Sequence, residues 1–431
     1  MKVGLVSLGC SKNLVDSEYI LGWFKANKHS IVTDLNKAEV LLVNTCGFIE
    51  PAKKESIETI LDLAKYKSKN AKHLIVTGCL IQRYQEELIS ALPEVDAWVP
   101  IERYHEIEKI IDPVLGILSE IPYGQYRLQS TLKHTAYLKI AEGCSNKCSF
   151  CAIPLIRKKA ISVPLDELVD QAKALVKEGV KELVLIAQDT SRYGEDLGKN
   201  QLLELLQALN EIEGLTWIRM LYLYPQSISK SFLDGMKQLD KVLPYFDIPM
   251  QHADDTVLKR MFRRGTSKNN REIIQYLRNL FPNAILRTTV IVGFPGETEA
   301  QFQTLLDFVE EMGFDRLGAF TYSPEENTKA YEYEDDVPKH IKEERLHRLM
   351  SLQARISESK MSEHIGKTFR VMVEDRPSKS EYYVGRTYGM APDDVDGEVK
   401  FSSTQLHSMG DFVEVKVTEV SSFDLIGEAV A

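Results

Sequence analysis

Six cysteines fall into two sets of three in this 431-residue chain. Cys144, Cys148 and Cys151 form a C-x3-C-x2-C run within Glu142-Gly143-Cys144-Ser145-Asn146-Lys147-Cys148-Ser149-Phe150-Cys151. Cys10, Cys46 and Cys79 are dispersed, but each follows a short apolar segment and each adjoins a glycine (Gly9, Gly47, Gly78). Iron–sulfur clusters are normally held by four thiolates, so three on a cubane leave one iron free to bind something else. Two such sites point to chemistry on the metal as well as electron storage. Zinc is the rival reading, yet structural zinc takes four protein ligands. The nearest histidine, His134, precedes the adjoining strand and points away from the loop.

The remaining composition bounds where this chemistry takes place. With 44% apolar and 27% charged residues, the chain reads as a soluble globular protein of two or three domains. Ser7-Leu8-Gly9-Cys10 is too near the start for a charged region plus an apolar core, and no apolar run approaches the roughly 18 residues of a membrane span. A cytoplasmic location is expected, with reduced thiols used for metal or catalysis in preference to disulfides. The net charge of −10 argues against a general nucleic-acid binder and suits a basic partner.

Three zones must position the cysteines. Residues 1–125 alternate strand and helix: strands near 3–8, 38–44 and 73–77, helices near 16–24, 52–66 and 84–90. Such alternation predicts a doubly wound parallel sheet, with ligands at the carboxyl ends of its strands. Cys10, Cys46 and Cys79 all follow those ends, so they can converge; the alternative is three buried thiols with no ligand role. Residues 126–362 continue with strands near 136–141, 182–187, 217–222, 245–249, 285–292 and 316–321. Helices are expected near 164–178, 199–212, 228–238, 254–280 and 298–312, and a charged amphipathic helix at 339–362. Six βα units predict a closed or partly closed β/α barrel, its chemistry at the strand carboxyl ends, and the cysteine run lies in the first such loop. Residues 363–431 switch to period two, at 368–374, 382–384 and 411–417. Turn-rich stretches such as Pro392-Asp393-Asp394-Val395-Asp396-Gly397 separate them, as in a small antiparallel, OB-like barrel. Residues 364–431 hold seven Lys/Arg against twelve Asp/Glu, a net of −5 that repels phosphates and attracts cations.

The C-x3-C-x2-C loop after a first barrel strand, with aromatic Phe150 before its last cysteine, resembles the radical S-adenosylmethionine (SAM) enzymes. The resemblance implies a [4Fe–4S] cluster on Cys144, Cys148 and Cys151, whose open iron chelates SAM and whose electron cleaves it to a 5′-deoxyadenosyl radical. It also implies that the turn Gly293-Phe294-Pro295-Gly296-Glu297 supports SAM, through Gly293, Pro295, Gly296 and Glu297, although a plain strand-to-helix turn reads similarly. Gln188 and Asp189 end the second strand, where that family places polar groups for the SAM amino group. Arg287 pairs either with a carboxylate of SAM or substrate, or with a structural partner.

Over essentially the whole chain, the N-terminal triad, barrel and C-terminal β module (TRAM-like) resemble the radical SAM methylthiotransferases. That implies a second [4Fe–4S] cluster on Cys10, Cys46 and Cys79, carrying the sulfur to be inserted. Ser7-Leu8-Gly9-Cys10-Ser11-Lys12-Asn13-Leu14-Val15-Asp16-Ser17-Glu18 and Asn44-Thr45-Cys46-Gly47-Phe48-Ile49 resemble the branch acting on a ribosomal protein. So do Asp247-Ile248-Pro249-Met250-Gln251-His252 and Tyr322-Ser323-Pro324-Glu325-Glu326. The implied substrate is an aspartate β-carbon of the basic small-subunit protein S-twelve. An electron donor, unspecified by sequence, is also implied; membrane contact and direct nucleic-acid binding outside the ribosome are not. His252 either orients substrate or is a satisfied polar group at a strand end. The family's Ile-Arg-Gly, two variable residues and Arg-Ser-Arg-Pro are replaced by Ile156-Arg157-Lys158-Lys159-Ala160-Ile161-Ser162-Val163-Pro164, so contacts made elsewhere by the glycine and two arginines are not inherited. The rivals are a tRNA adenosine methylthiotransferase and a non-catalytic iron–sulfur or zinc RNA-binding protein; the latter would release no 5′-deoxyadenosine from SAM.

Overall fold

A computed structural model describes residues 1–376, 381–392 and 396–430. In the first zone, strands Lys2–Ser7, Val40–Thr45 and His73–Gly78 lie side by side in a parallel sheet, with short edge strands Ser30–Ile31 and Ala97–Val99. Val40–Thr45 is buried at every position, the continuous apolar run expected of a parallel strand covered on both faces. Ser7, Asn44 and Thr77 stand in register across the three strands. The loops that follow therefore leave the same edge at the same height.

The second zone holds six parallel strands in sequence order: Thr135–Lys139, Glu182–Ile186, Trp217–Met220, Val242–Asp247, Ile285–Val292 and Arg316–Thr321. The sheet stays open, since its first and last strands do not pair. The expected helix at 254–280 is two helices, Asp255–Arg260 and Ser267–Leu280, interrupted where Phe262 and Gly265 take positive φ. Thr266 starts the second with a reciprocal capping box, satisfying two orphan donors. Lys339–Ser362 forms the closing helix.

The concave face of this open sheet is filled by its neighbours. Tyr137, Val184, Ile186, Trp217 and Tyr245 pack with Leu14, Val15 and Tyr19 of helix Ser11–Ala26 and with Met372, Tyr388, Ala391 and Phe412 of the C-terminal zone. Helix Ser11–Ala26 is buried on several faces because it lies between two sheets. The last zone is a closed five-stranded barrel of Thr368–Asp375, Tyr383–Thr387, Val399–Ser402, Phe412–Val420 and Leu425–Ala429. Its one parallel pair, Val399–Ser402 with Leu425–Ala429, departs from a purely antiparallel barrel. Of the expected turn at 392–397, residues 393–395 lie outside the described residues. Among the described residues no helix is long and apolar enough to cross a membrane.

A buried ion network pins the barrel to the second zone. Glu182, fully buried, accepts from Arg219 Nε at 2.8 Å and Arg386 Nη2 at 2.7 Å, while Arg386 Nε donates to Glu374 at 2.7 Å. Burial opposes the Glu182 charge, but Arg386 and Arg219 outweigh it and hold the carboxyl at about 2, below its ordinary 4.5. Because the folded value is depressed, this contribution to stability is present above pH 4.5 and is lost as pH falls towards about 2. Glu182→Gln is expected to cost about 3 kcal/mol at pH 7, by leaving two arginines short of their carboxylate. Denaturant titrations across that pH window should show the variant losing less stability on acidification than the parent.

Candidate metal and cofactor site

Cys10 is the N-cap of helix Ser11–Ala26, Cys46 follows strand Val40–Thr45, and Cys79 opens helix Cys79–Ala91 directly after strand His73–Gly78. The adjoining glycines let the three loops press together. Gly9 has φ +86°, and a Cβ there would meet Cys46 Cβ at 2.9 Å; a Cβ on Gly47 would meet the backbone of Leu80 at 2.7 Å. Any larger residue would drive these loops apart. Asn13 laces them further, its Nδ2 donating to the carbonyls of Leu8 at 3.0 Å and Thr45 at 2.9 Å. Asn44 Nδ2 donates to the Asn13 carbonyl at 2.8 Å and to Ser17 Oγ at 2.9 Å.

The second triad stands opposite. All six cysteines line one cavity of about 350 Å³, together with Lys12, Phe48, Asn146, Phe150, Arg157, Gln188, Asp189, Tyr222, Gln251, Arg263 and Thr289 among others. The two domains therefore dock sheet edge to barrel mouth. Among the described residues no three His, Cys, Asp or Glu side chains converge tightly enough to hold a single metal ion. The lining supplies two sets of three thiols and, among the described residues, no histidine, a donor set that suits iron–sulfur clusters.

Arg157 is the bridge between the halves. Its buried guanidinium donates to Asp16 at 2.8 Å, to Glu142 at 2.8 Å, to Asn13 Oδ1 and, at 3.4 Å, to Cys79 Sγ. Lys139 completes the cluster by donating to Asp16 and to Glu142. Burial opposes the Glu142 charge, but Lys139 and Arg157 hold its carboxyl well below the ordinary range. The long motif after Cys10 is thereby explained. Lys12 sits 3.2 Å over the Tyr222 ring, Asp16 meets Arg157, and Glu18 accepts from Arg127 at 2.7 Å.

The thiols differ in their electrostatics. Burial alone would raise Cys10, but Lys12, the backbone N–H groups of Asn13 and Lys12, and Arg157 bring it below its usual value. Burial pushes Cys79 and Cys151 up to about 12. Arg263, stacked 3.9 Å over Tyr224, directs Nη1 to Cys148 Sγ at 3.7 Å. Asn146, in the cysteine loop, donates to Asp189 at 2.5 Å and accepts from Arg192 and Arg264. Tyr222 and Gln251, both lining the cavity, hold left-handed φ of 61° and 70°, a conformation that non-glycine residues adopt mainly where surroundings impose it.

Phe150, Gln188 and Asp189 are thus brought to the cysteines, with Gln188 Nε2 donating to Glu142 at 2.9 Å. Arg287, Gly293, Pro295, Gly296 and Glu297 are not among the residues lining this cavity. Arg287 lies 3.8 Å from Asp247 and 3.7 Å from Asp396, which is the structural alternative for it. Glu297 is buried, accepting from the Gly293 N–H at 3.0 Å and Arg345 at 2.8 Å, with His252 Nε2 at 3.3 Å. Gly293 and Gly296 give close passage to Lys342 and Arg260 rather than to the cavity. His252 is fully buried; its Nδ1 accepts from the Asp254 N–H at 3.0 Å, while its Nε2 faces Glu297 without a hydrogen bond. His134 turns to Glu374 in the barrel, away from the cysteine loop. Sequence reasoning missed Asn13, Asn146, Arg157 and Arg263; polar residues within a few positions of the cysteines or the 254–280 break were the available signal.

The departure at 157–163 has a local consequence. Lys158 has φ 62° and ψ −157°, while its carbonyl accepts the Cys144 N–H at 3.0 Å. Side chains disfavour that backbone region. Lys158→Gly is expected to stabilise the chain by about 1 kcal/mol, the relieved strain exceeding glycine's entropic cost. Chemical denaturation at neutral pH checks it.

Residues 2–100 match the Uncharacterized protein family UPF0004, 138–309 the Radical SAM superfamily and 365–430 the TRAM domain. A protein of Acetivibrio thermocellus named ribosomal protein uS12 methylthiotransferase RimO is 46% identical over 446 residues, covering 100% of this chain and 98% of the relative. One of the same name from Aquifex aeolicus is 47% identical over 429 residues, covering 99% and 97%. Among solved structures, the radical S-adenosylmethionine methyltransferase TsrM of Kitasatospora setae aligns with a TM-score of 0.55 at 14% identity, covering 75% of this chain and 76% of that one. That likeness bears on the fold alone.

Proposed function

The chain belongs to the family of radical SAM methylthiotransferases named RimO, and from that premise we propose that it adds a methylthio group to the β-carbon of an aspartate in ribosomal protein uS12. The observation that carries this reading is the single cavity lined by two cysteine triads from two domains. Cys144, Cys148 and Cys151 would hold one [4Fe–4S] cluster, and Cys10, Cys46 and Cys79 the other. When bound, these clusters and SAM supply the one-electron chemistry, the methyl group and the sulfur attachment point.

The chain's own groups do the rest. Phe150, Gln188 and Asp189, joined by Asn146, Arg263 and Thr289, shape the cofactor side of the cavity. Lys12 and Arg157 place positive charge beside the dispersed thiols, which favours thiolates and other anionic sulfur there. Arg157 and Arg263 donate towards ligand sulfurs, fixing their orientation. A larger space of about 820 Å³ adjoins the cysteine cavity across Phe48, Phe150, Gln251 and Thr289. Its lining includes Ile291, Phe320 and Tyr322, with the carboxylates of Glu50, Asp335 and Glu343. Those carboxylates pair with Lys53, Lys342 and Lys339, so the recess is mainly apolar and suits a protein loop, while the acidic C-terminal barrel favours a basic protein over tRNA. Action on a ribosomal protein supports a cytoplasmic location, and the one-electron chemistry calls for a separate electron donor.

Mass spectrometry of ribosomal proteins and tRNA from a strain lacking the gene tests this reading. The expected result is loss of one methylthio group from uS12 with tRNA unchanged. A deficit in tRNA alone would instead favour adenosine methylthiolation.

A further inference from the structure

Two features of the fold meet behind the dispersed triad. One is the loop Tyr322-Ser323-Pro324-Glu325-Glu326 after the last strand of the open sheet; the other is the pair of helices that follow Cys46 and Cys79. Glu325 belongs to the central domain but is 2% exposed, under the N-terminal one. Its Oε2 accepts from Arg83 Nη1 at 2.8 Å and from Lys53 Nζ at 3.3 Å, and its Oε1 accepts from Ser323 Oγ at 3.1 Å. Lys53 stands on helix Glu50–Ala64, which follows Cys46, and Arg83 on helix Cys79–Ala91, four residues past Cys79. The Arg83 side chain, 5% exposed, also donates to the carbonyl of Gly47, next to Cys46, at 3.2 Å and to the carbonyl of Glu326 at 3.0 Å. Tyr84 Oη donates to Glu326 at 2.6 Å.

We propose that Glu325, acting through Arg83 and Lys53, is a positioning residue that holds the Cys10/Cys46/Cys79 edge at a fixed separation from the Cys144 loop, and so couples radical formation to methylthio transfer. One carboxylate from the barrel side gathers both helices behind Cys46 and Cys79. Arg157 makes a second charged tie between the same two domains, at Asp16 and Cys79. A buried, multiply bonded charge pair specifies geometry more than it adds net stability. The proposal rests on the methylthiotransferase reading above.

Glu325→Gln keeps shape and removes the charge. The expected result is a ratio of methylthiolated product to released 5′-deoxyadenosine about 10- to 100-fold below the parent, the effect typical of removing an outer-shell partner. 5′-Deoxyadenosine release itself should stay close to the parent rate. Glu325→Asp, retaining the charge, should recover part of that ratio. A second readout needs no turnover: in a Cys144→Ala/Cys148→Ala/Cys151→Ala background, Glu325→Gln should speed chelator-driven iron loss from the remaining site about tenfold. A parallel fall in both products, with iron loss unchanged, would make Glu325 a plain domain staple and overturn the proposal. If the parent itself methylthiolates nothing while releasing 5′-deoxyadenosine, the functional reading fails, and the iron-loss comparison still decides the positioning claim.

Discussion

Replacing Cys10, Cys46 and Cys79 together by alanine is expected to reduce methylthio transfer to background while 5′-deoxyadenosine release from SAM continues. Iron and sulfide per chain should fall by half. The opposite set, Cys144→Ala/Cys148→Ala/Cys151→Ala, should lose both products and retain the other half of the iron. The asymmetry follows from where the triads stand: the local one sits on a loop of the open sheet beside Asn146, Gln188 and Asp189, and the dispersed one on the docked N-terminal edge. Both variants should remain folded, with the larger stability cost in the dispersed set because Cys79 is buried against Ala152 and Ile156. Iron and sulfide counts, circular dichroism and a two-product assay check all of this on the same samples. Equal loss of both products in the first variant would mean that the two sites do not divide the work as proposed.

The second large effect is expected at Arg157. Arg157→Met removes the cation shared by buried Asp16 and partly buried Glu142, leaving Lys139 as the remaining cation donating to both. Breaking one side of a buried network of this kind costs about 3–5 kcal/mol, mostly because the remaining charges stay desolvated. Urea titration of the reconstituted protein should register the loss as an earlier transition involving the N-terminal domain. The same variant loses the donor at 3.4 Å from Cys79 Sγ, so iron at the dispersed triad should also be held about tenfold less tightly. An unchanged urea midpoint would show that the docking surface does not depend on this bridge.

Much of the positioning of the cysteines is legible in the sequence. Alternating strands and helices place Cys10, Cys46 and Cys79 after three parallel strands, and neighbouring glycines mark loops that must approach closely; both follow from local pattern. Edge strands Ser30–Ile31 and Ala97–Val99 are two and three residues long, too short for any periodicity to register. The split of 254–280 falls in 263–272, a stretch with no apolar residue, where Gly265 at positive φ and the N-cap Thr266 are the local signals of a break. The polar contacts divide by range. Gln188 and Asp189 reach the cavity as their strand end requires, whereas Arg287 meets Asp396 from the C-terminal barrel and Glu297 meets Arg345 from the closing helix. Those partners lie 109 and 48 residues away; docking of the C-terminal barrel supplies the first, and packing of the closing helix within the same zone supplies the second. Arg157 was visible as a residue in a departing segment, but its reach to Asp16 and Cys79 depends on docking of the N-terminal domain.

The most direct test of the two-triad account uses small ribosomal subunits from a strain lacking this gene, SAM labelled in its methyl group, and the reduced, reconstituted protein. Mass spectrometry of intact uS12 and of tRNA added to the same reaction reads the outcome. The predicted result is uS12 gaining one labelled methylthio group on an aspartate-bearing peptide, with tRNA unmodified and with the gain abolished in either alanine triad. Labelled methylthio groups in tRNA with uS12 unchanged would contradict the account.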